Sequence, residues 1–586
     1  MRLVQREHSG NIGKDDQQAD LLSRVLAKRG INSESELSVE LKQLHPISSL
    51  LGIDPAVQIL VNAFEQKQNI LIVGDFDADG ATATAVAVKA FKILGYPGQV
   101  DYLVPNRFEY GYGLTPEIVK DAQRFSPDII ITVDNGISSI EGVAEAKKYG
   151  NKVIITDHHL PGKKTPDAEA IINPNQKGDD FPSKNLAGVG VIFYMMLALK
   201  KALTEQGYFI KNDHLKPDLI NLLDLVALGT VADVVPLDQN NRILVEQGLR
   251  RMRGGVACEG IQALFRIAKR NIQSAVSSDL GFACGPRLNA AGRLDDMSLG
   301  IECLLSEDAN HAIEIAEALD DLNIERRAIE DGMKAEALAA LEELNLDELK
   351  GNIPPVICLY NPSWHQGVIG ILAARIREKY HRPTVIFAPA DEHDPDNSDI
   401  KGSARSIPTI HIRDTFDEVA SGNPGLLDKF GGHAMAAGLT LDVSNLEAFK
   451  KAICDVVARH ADDETFEEIH YSDGELEADD FQLKHADQLR FAVPWGQHFP
   501  APAFDNKFII VNKRILKEKH LKMVLKPISV DSDGVFNQGR TVDAIAFNID
   551  VNSWPVEGDE VHLLYRLEVN EFRETCSLQL MVEKLL

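Results

Sequence analysis

Three aspartates at alternate positions, Asp75, Asp77 and Asp79, follow an apolar run in VGDFDADGATATA. Carboxylates this close repel one another unless a cation lies among them. Further on, IIITVDNG runs into Asp134, KVIITDHH into Asp157, His158 and His159, and LVALGTVAD into Asp233. Carboxylate oxygens with one or two imidazoles and no thiolate suit hard to borderline divalent ions, Mn²⁺ or Mg²⁺ rather than a structural zinc. Asp75, Asp77, Asp79, Asp134, His158 and Asp233 exceed what one ion needs, so a pair of ions roughly 3.5–4 Å apart is expected. Such a pair polarises a phosphoryl oxygen and holds an activated water in line, which is metal-dependent phosphoester hydrolysis. Each residue alone has a plainer reading. Asp75 or Asp79 suits a turn or a helix N-cap, Asp134 an Asn-Gly turn, and His159 a satisfied interior position. Their joint arrival at the ends of four separate segments outweighs those readings.

The elements behind them must bring these residues together. From about 69 to 235, short apolar runs alternate with helical patterns: strands over 69–74, 128–133 and 152–156, helices over 80–95 and 138–149, and a mostly buried segment at 222–228. This alternation predicts β-α-β units around a parallel sheet, whose strands, covered on both faces, read as continuous apolar runs. Ligands bind outside the carboxyl ends of such strands, so four strand ends are expected to converge on one edge. Residues 305–350 are rich in Ala, Glu and Leu with helical spacing, a long connecting helix. A second lobe follows, about 353–458, with strands near 356–359 and 384–387 and a helix opening at WHQGVIGILAARI. Residues 462–480 hold ten acidic residues and no Lys or Arg, and read as a linker with few packing commitments. Beyond about 500 the period changes: HLKMVLK, VDAIAFN, VHLLYRL and LQLMV are half-buried strands, five or so in all, which suggests a small barrel. Truncation after about 460 is therefore expected to leave the metal site intact.

A chain of 586 residues is too long for one hydrophobic core. Six cysteines with no Cys-x-x-Cys pair fit reduced thiols in the cytoplasm. The polar N-terminus and a longest apolar stretch of only 187–199 predict no membrane partner. The net charge of −27 argues, globally, against nucleic acid. Sites are local, however, and acid concentrates at 307–348 and 462–480. Basic clusters remain at 250–270 and 513–526, open to reading as solvated surface or as a phosphate track.

DFDADG, DNG, TDHH and GTVADVVPL resemble the successive motifs of the DHH phosphoesterase superfamily. PNRFEYGYGL (105–114), GPRLNAAGRLDD (285–296), SARS (403–406) and GGHAMAAGL (431–439) resemble its bacterial single-strand-specific exonuclease branch, over nearly the whole chain from about residue 45. Phe76, where the family often has tyrosine, is the visible departure. The resemblance implies an α/β protein in which a parallel-sheet DHH domain (51–300) follows an N-terminal segment (1–50). A long helix (301–352) joins it to a smaller α/β DHHA1 domain (353–460), and an acidic linker (461–499) leads to an OB-type β-barrel (500–586). It also implies 5′-to-3′ degradation of single-stranded DNA to mononucleotides in recombination and repair, with two Mn²⁺ or Mg²⁺ ions. A single-strand-binding protein and a helicase that supplies the strand would be partners, and the enzyme would be a cytoplasmic monomer.

Residue by residue, the family places Asp79, Asp134, His158 and Asp233 on one ion, and Asp75 and Asp77 with a shared Asp134 on the other, the bridging acid staying open. His159 would face the scissile phosphate. Arg107 is the phosphate clamp, since guanidinium meets phosphate bidentately. Tyr110 or Tyr112 would stack a base or merely pack. Arg287 and Asn289, with Arg293 behind them, would reach phosphate oxygens across a cleft. Ser403, Arg405 and His433 would bind DNA from the second lobe, and Lys513, Lys519 and Lys522 would track the backbone on the barrel. Two other readings are a DHH phosphoesterase for pyrophosphate, cyclic dinucleotides or very short RNA, and a non-catalytic helicase scaffold. The barrel and PNRFEYGYGL argue against the first, and the complete ligand set against the second.

Overall fold

Strands β1 (Ile70–Gly74), β3 (Ile129–Val133) and β4 (Lys152–Thr156) are buried almost end to end, which is why they carry unbroken apolar sequence. In this computed structural model the described residues are 2–12, 20–105, 113–343, 353–367, 369–390, 398–427, 429–432, 434–462, 464–530, 536–538, 541–551, 553–572 and 575–586. They fall into two units: residues 3–320 with 471–586 form the first, and residues 321–470 the second.

In the first unit, short strands β2 (Val100–Leu103) and β5 (Ala170–Ile172) complete a five-stranded parallel sheet of order β2-β1-β3-β4-β5. Helix α1 (Ala78–Ile93) follows β1, and α2 (Gly188–Glu205) and α3 (Leu223–Ala232) pack against it. The segment ending in Asp233 is therefore a helix, so three strand ends and one helix end converge rather than four strand ends. Helix α3 is buried on all sides because other helices encase it, and such a mostly apolar run cannot be told from a buried strand by periodicity.

The barrel forms from six strands in the order Phe504–Leu516, Glu560–Phe572, Thr575–Leu585, Val542–Ala546, His520–Val530, Phe536–Gln538. A further pairing between Phe504–Leu516 and His520–Val530 closes five of them into a ring. Its core does not stop at residue 500. Leu21 and Val25 of the helix Leu21–Ala27, Leu476, and Ala486 and Leu489 of the helix Leu483–Ala492 are buried in the same cluster.

This overturns the linker expectation for 461–499. Asp473 there is buried and paired in parallel with Arg29, through Nη1 at 2.8 Å and Nη2 at 3.0 Å. The backbone of Gln497 accepts from Leu237 N, and Trp495 O from Ser277 Oγ at 2.6 Å. An acidic composition marked solvated charge, but several of these acids serve internal bonds.

The second unit is built on a five-stranded mixed sheet of order Lys429–Gly432, Ala436–Asp442, Asp399–Arg405, Thr384–Pro389, Ile357–Tyr360. Val385, Phe387, Phe416, Leu439 and Phe449 form its core. The long helix Ala309–Glu343 begins in the first unit and ends in the second. Among the described residues no single helix is long and apolar enough to cross a membrane.

Candidate active site

The turn after β1 carries the three aspartates, and its shape is set by their own bonds. Asp75 accepts from Phe76 N at 2.8 Å. Asp77 caps α1 by accepting from Gly80 N at 3.0 Å. Asp79 is buried and receives two backbone donors from the start of α2, Gly188 N at 2.6 Å and Val189 N at 3.0 Å. Gly188 allows this approach, since a Cβ there would stand 2.5 Å from the Asp134 carboxylate. Asp134 follows β3 in a left-handed backbone conformation (φ 62°), its N–H held by Thr156 O. After β4, buried Asp157 gathers four donors: Ile137 N, His158 N, His159 N and His159 Nδ1, the last at 2.8 Å. Asp233 ends α3.

The six candidate ligands meet. Asp79, His158 and Asp233 form one trio, Asp75, Asp77 and Asp134 a second, and Asp134, His158 and His159 a third, each with one ligand atom per residue within 4.8 Å of the others. Asp134 belongs to two of these trios. His158 Nε2 is buried 3.2 Å from Asp134 Oδ1 and 3.5 Å from Asp233 Oδ2 but hydrogen-bonds to neither. A lone pair so placed, among oxygens that repel one another, fits a divalent cation.

Electrostatics point the same way. Burial, then the charge of Asp233, raises Asp79 to about 7. Burial, then Asp77, raises Asp233 to about 8. Asp75 and Asp134 are pushed well above the usual carboxylate range, first by burial and then by neighbouring aspartates. Burial and the neighbouring His159 lower His158, which keeps it neutral and ready to ligate. Burial pulls His159 down too, but its bond to Asp157 outweighs this and lifts it to about 9. One imidazole is thus neutral and its neighbour cationic.

GPRLNAAGR packs against the aspartate turn. Asn289 Oδ1 accepts from Ala78 N at 2.8 Å, and a Cβ at Gly292 would strike the Phe76 carbonyl. Arg287 is buried, donating to Ala283 O and pairing with Asp320 at 2.8 Å. These two residues brace the aspartate turn and the helix Gly285–Leu294. Arg293 is half-buried.

Ser403 and Arg405 share one face of the strand Asp399–Arg405. Both approach the position a Cβ would take on Gly370, in the first turn of the helix Ile369–Tyr380, to 2.9 Å. A guanidinium and a hydroxyl above a helix N-terminus form an arrangement suited to an anion. On the barrel, Lys519 is exposed, whereas Lys513 Nζ donates to Pro555 O and Lys522 pairs with Asp543 at 3.1 Å. Arg107, Tyr110, Tyr112 and His433 lie outside the described residues.

Several supporting groups escaped the sequence reading. Asn173 and Asn175 donate to the carbonyls of His159 and His158, and Asn135 to those of Val73 and Val133. The signal available for the first pair was INPN directly after β5. Backbone donors such as Gly188 N leave no signature beyond AGVG.

Models of the DHH family N-terminal domain, the DHHA1 domain and the RecJ OB domain match residues 69–230, 354–459 and 472–584. The chain is 50% identical over 564 residues to the single-stranded-DNA-specific exonuclease RecJ of Salmonella typhimurium, covering 96% of this chain and 95% of that protein. The crystal structure of Thermus thermophilus RecJ in complex with Mn²⁺ superposes with a TM-score of 0.79 at 26% identity, over 100% of this chain and 79% of that one. The Mg²⁺ complex of the same protein gives 0.73 at 25% identity, over 100% and 78%. The three domain matches in this order and the identity along the whole chain establish that it belongs to the RecJ family of the DHH superfamily.

Proposed function

We propose that this chain is a metal-dependent exonuclease specific for single-stranded DNA, degrading it from the 5′ end to mononucleotides during recombination and repair. The observation that carries the reading is Asp134, shared between two trios of ligand atoms at one sheet edge. Asp75, Asp77, Asp79, Asp134, His158 and Asp233 would hold two divalent ions, Mn²⁺ or Mg²⁺, which supply Lewis-acid polarisation of the phosphate and a water of lowered pKa.

The protein's own groups do the rest. Asp157 fixes the ring of His159 and keeps it protonated at neutral pH, leaving Nε2 to carry a proton to the departing 3′ oxygen. Gly188 N and Val189 N hold the Asp79 carboxyl group in position despite its burial. Asn289 fixes the turn on which Asp75 and Asp77 sit. Arg107, outside the described residues, would clamp a phosphate, and Ser403, Arg405 and His433 would bind a second one.

Acting on DNA implies the cytoplasm, in keeping with six free cysteines. An enzyme restricted to single strands must be supplied with them, hence a helicase and a single-strand-binding protein as partners. Labelled single-stranded DNA separates the parts of this reading. With Mn²⁺, a 5′ label should appear as mononucleotide from the first turnover and a 3′ label only at the end; chelation should stop both. Asp134→Ala should cost about 10²–10³ or more in turnover without unfolding the protein. Near-normal activity of that variant would defeat the metal assignment, and early release of the 3′ label the polarity.

A further inference from the structure

Strand β4 stops pairing with β5 at Thr156 and Ile172, after which Asp157 N makes one further bond to Ile172 O at 3.1 Å. The next two residues are His158 and His159, and side chains take over from the lost ladder. Their N–H groups donate to Asp157 Oδ1 at 2.7 and 3.0 Å. Their carbonyls accept from Asn175 Nδ2 at 2.6 Å and Asn173 Nδ2 at 2.9 Å. A carboxamide offers the same donor as a peptide N–H, so the two asparagines continue the sheet where the backbone has left it. Asn173 is itself buried, and its Oδ1 accepts from Asn175 N at 2.7 Å, which limits where Asn175 can reach.

Asn175 makes a second connection, since its Nδ2 also donates to Lys184 O at 3.3 Å. Lys184 lies shortly before Gly188, whose N–H holds Asp79 together with that of Val189. The segment around Lys184 is tied down on another side as well. Ser183 Oγ and Asn185 Nδ2 donate to Asp238 Oδ2 at 2.6 and 3.1 Å, and Asn185 O accepts from Asn241 Nδ2 at 2.6 Å. One carboxamide therefore bonds both the main chain of His158 and the main chain leading to the donors of Asp79. His158 and Asp79 belong to the same trio of ligand atoms, with Asp233.

We propose that Asn175 is a positioning residue that spans two arms of this trio, fixing the separation of His158 from Asp79 and thereby the affinity of the trio for a divalent ion. The proposal rests on the metal-centre reading above and adds to it the group that sets the span. Metal affinity depends on how well ligands are held before the ion arrives, and the groups that orient a ligating imidazole matter nearly as much as the imidazole. Without the strut, the arms are free to relax apart, and binding must draw them back together. A purely local role, in which Asn175 steadies only its own turn, is the competing account.

The test uses the full-length protein, stripped of metal by a chelator and then titrated with Mn²⁺ at one pH, with Tm read at each concentration. Stabilisation by a ligand grows as ln(1 + [Mn²⁺]/Kd), so the concentration at which Tm begins to rise reports affinity, while the metal-free Tm reports the fold. Asn175→Ala and the similarly sized Asn175→Leu should both move that concentration upward by roughly 10- to 100-fold. Turnover on single-stranded DNA should fall at limiting Mn²⁺ and recover at saturating Mn²⁺, with KM for DNA at the wild-type value. Gln176→Ala is the control, because Gln176 Nε2 bonds Ile171 O at 2.8 Å and Leu51 O at 3.2 Å, in the same turn but on neither the His158 nor the Lys184 main chain. It should lower the metal-free Tm and leave the Mn²⁺ dependence unchanged. An unchanged Mn²⁺ dependence in Asn175→Ala overturns the strut, whether or not KM for DNA rises. An equal shift in Gln176→Ala overturns it as well, since that marks the stability of the turn alone. A wild-type Tm indifferent to Mn²⁺ would instead defeat the metal-centre reading itself.

Discussion

Asp79 and Asp233, raised to about 7 and about 8, hold protons in the folded metal-free protein that an unfolded chain releases near 3.8. Acids whose folded pKa is raised favour folding at low pH, and that contribution is lost as pH rises through the folded values. Metal-free protein should therefore lose stability as pH rises from about 4 to about 8 and level off above that, while a bound divalent ion replaces those protons. The rise in Tm on adding Mn²⁺ to chelated protein should be larger at the higher pH. An equal rise at both would remove these two residues from the ligand set. Asn289→Ala tests the brace on the same turn. It leaves Ala78 N without its acceptor, which should cost about 1 kcal/mol of stability and lower kcat with little change in KM. A change confined to KM would return Asn289 to phosphate binding. The convergence of the candidate ligands was legible because chemically unlike elements all ended in Asp or His. The bracing contacts of Arg287 and Asn289 were not legible, because a polar residue in a motif looks the same whether it meets substrate or holds a turn.

Among elements, the parallel sheet was readable from apolar runs, whereas α3 was not separable from a strand because it is buried on every side and mostly apolar, Asp224 and Thr230 apart. The edge strands Val100–Leu103 and Ala170–Ile172 were missed for their shortness, three or four residues with only part of the apolar signal. The helix Leu21–Ala27 was hidden differently, because its partners lie over 440 residues away in sequence. Its attachment combines Leu21 and Val25 in the barrel core, Arg24 paired with Asp480 at 2.8 Å, and one buried ion pair. Arg29 is buried between Asp473 and the Trp495 ring, 5.1 Å from the ring centroid, and also donates to Val25 O and Pro500 O. Removing it strands the Asp473 carboxylate in the interior. Arg29→Ala should therefore cost about 3–5 kcal/mol, read as a shift in urea midpoint. A loss under about 1 kcal/mol would show that water reaches Asp473 and that the pair behaves as a surface one.

For the molecule as a whole, the division of the chain decides what can be cut away. Composition placed a linker at 461–499, which made the barrel look detachable after about residue 460. The packing joins residues 471–586 to residues 3–320 instead, through Leu21 and Val25 in the barrel core, the Arg29–Asp473 pair, Ser277 to Trp495 O and Leu237 to Gln497 O. Truncation after residue 470 would expose a row of buried apolar side chains and orphan Arg29, so it should destroy the fold around the metal site rather than merely shorten the DNA track. The truncated chain should aggregate or unfold without cooperativity, and lose hydrolysis of dinucleotide-scale and of roughly thirty-nucleotide strands alike. A fragment spanning 321–470 offers the contrast, because it keeps both the core of Val385, Phe387, Phe416, Leu439 and Phe449 and the packing of Met333 against Ile369, Leu372 and Ile376; expressed alone it should unfold cooperatively. A truncated protein that still cleaves very short strands at the full-length rate, losing only long ones, would mean that the contacts around Asp473 contribute little and that the barrel is a separable DNA track after all.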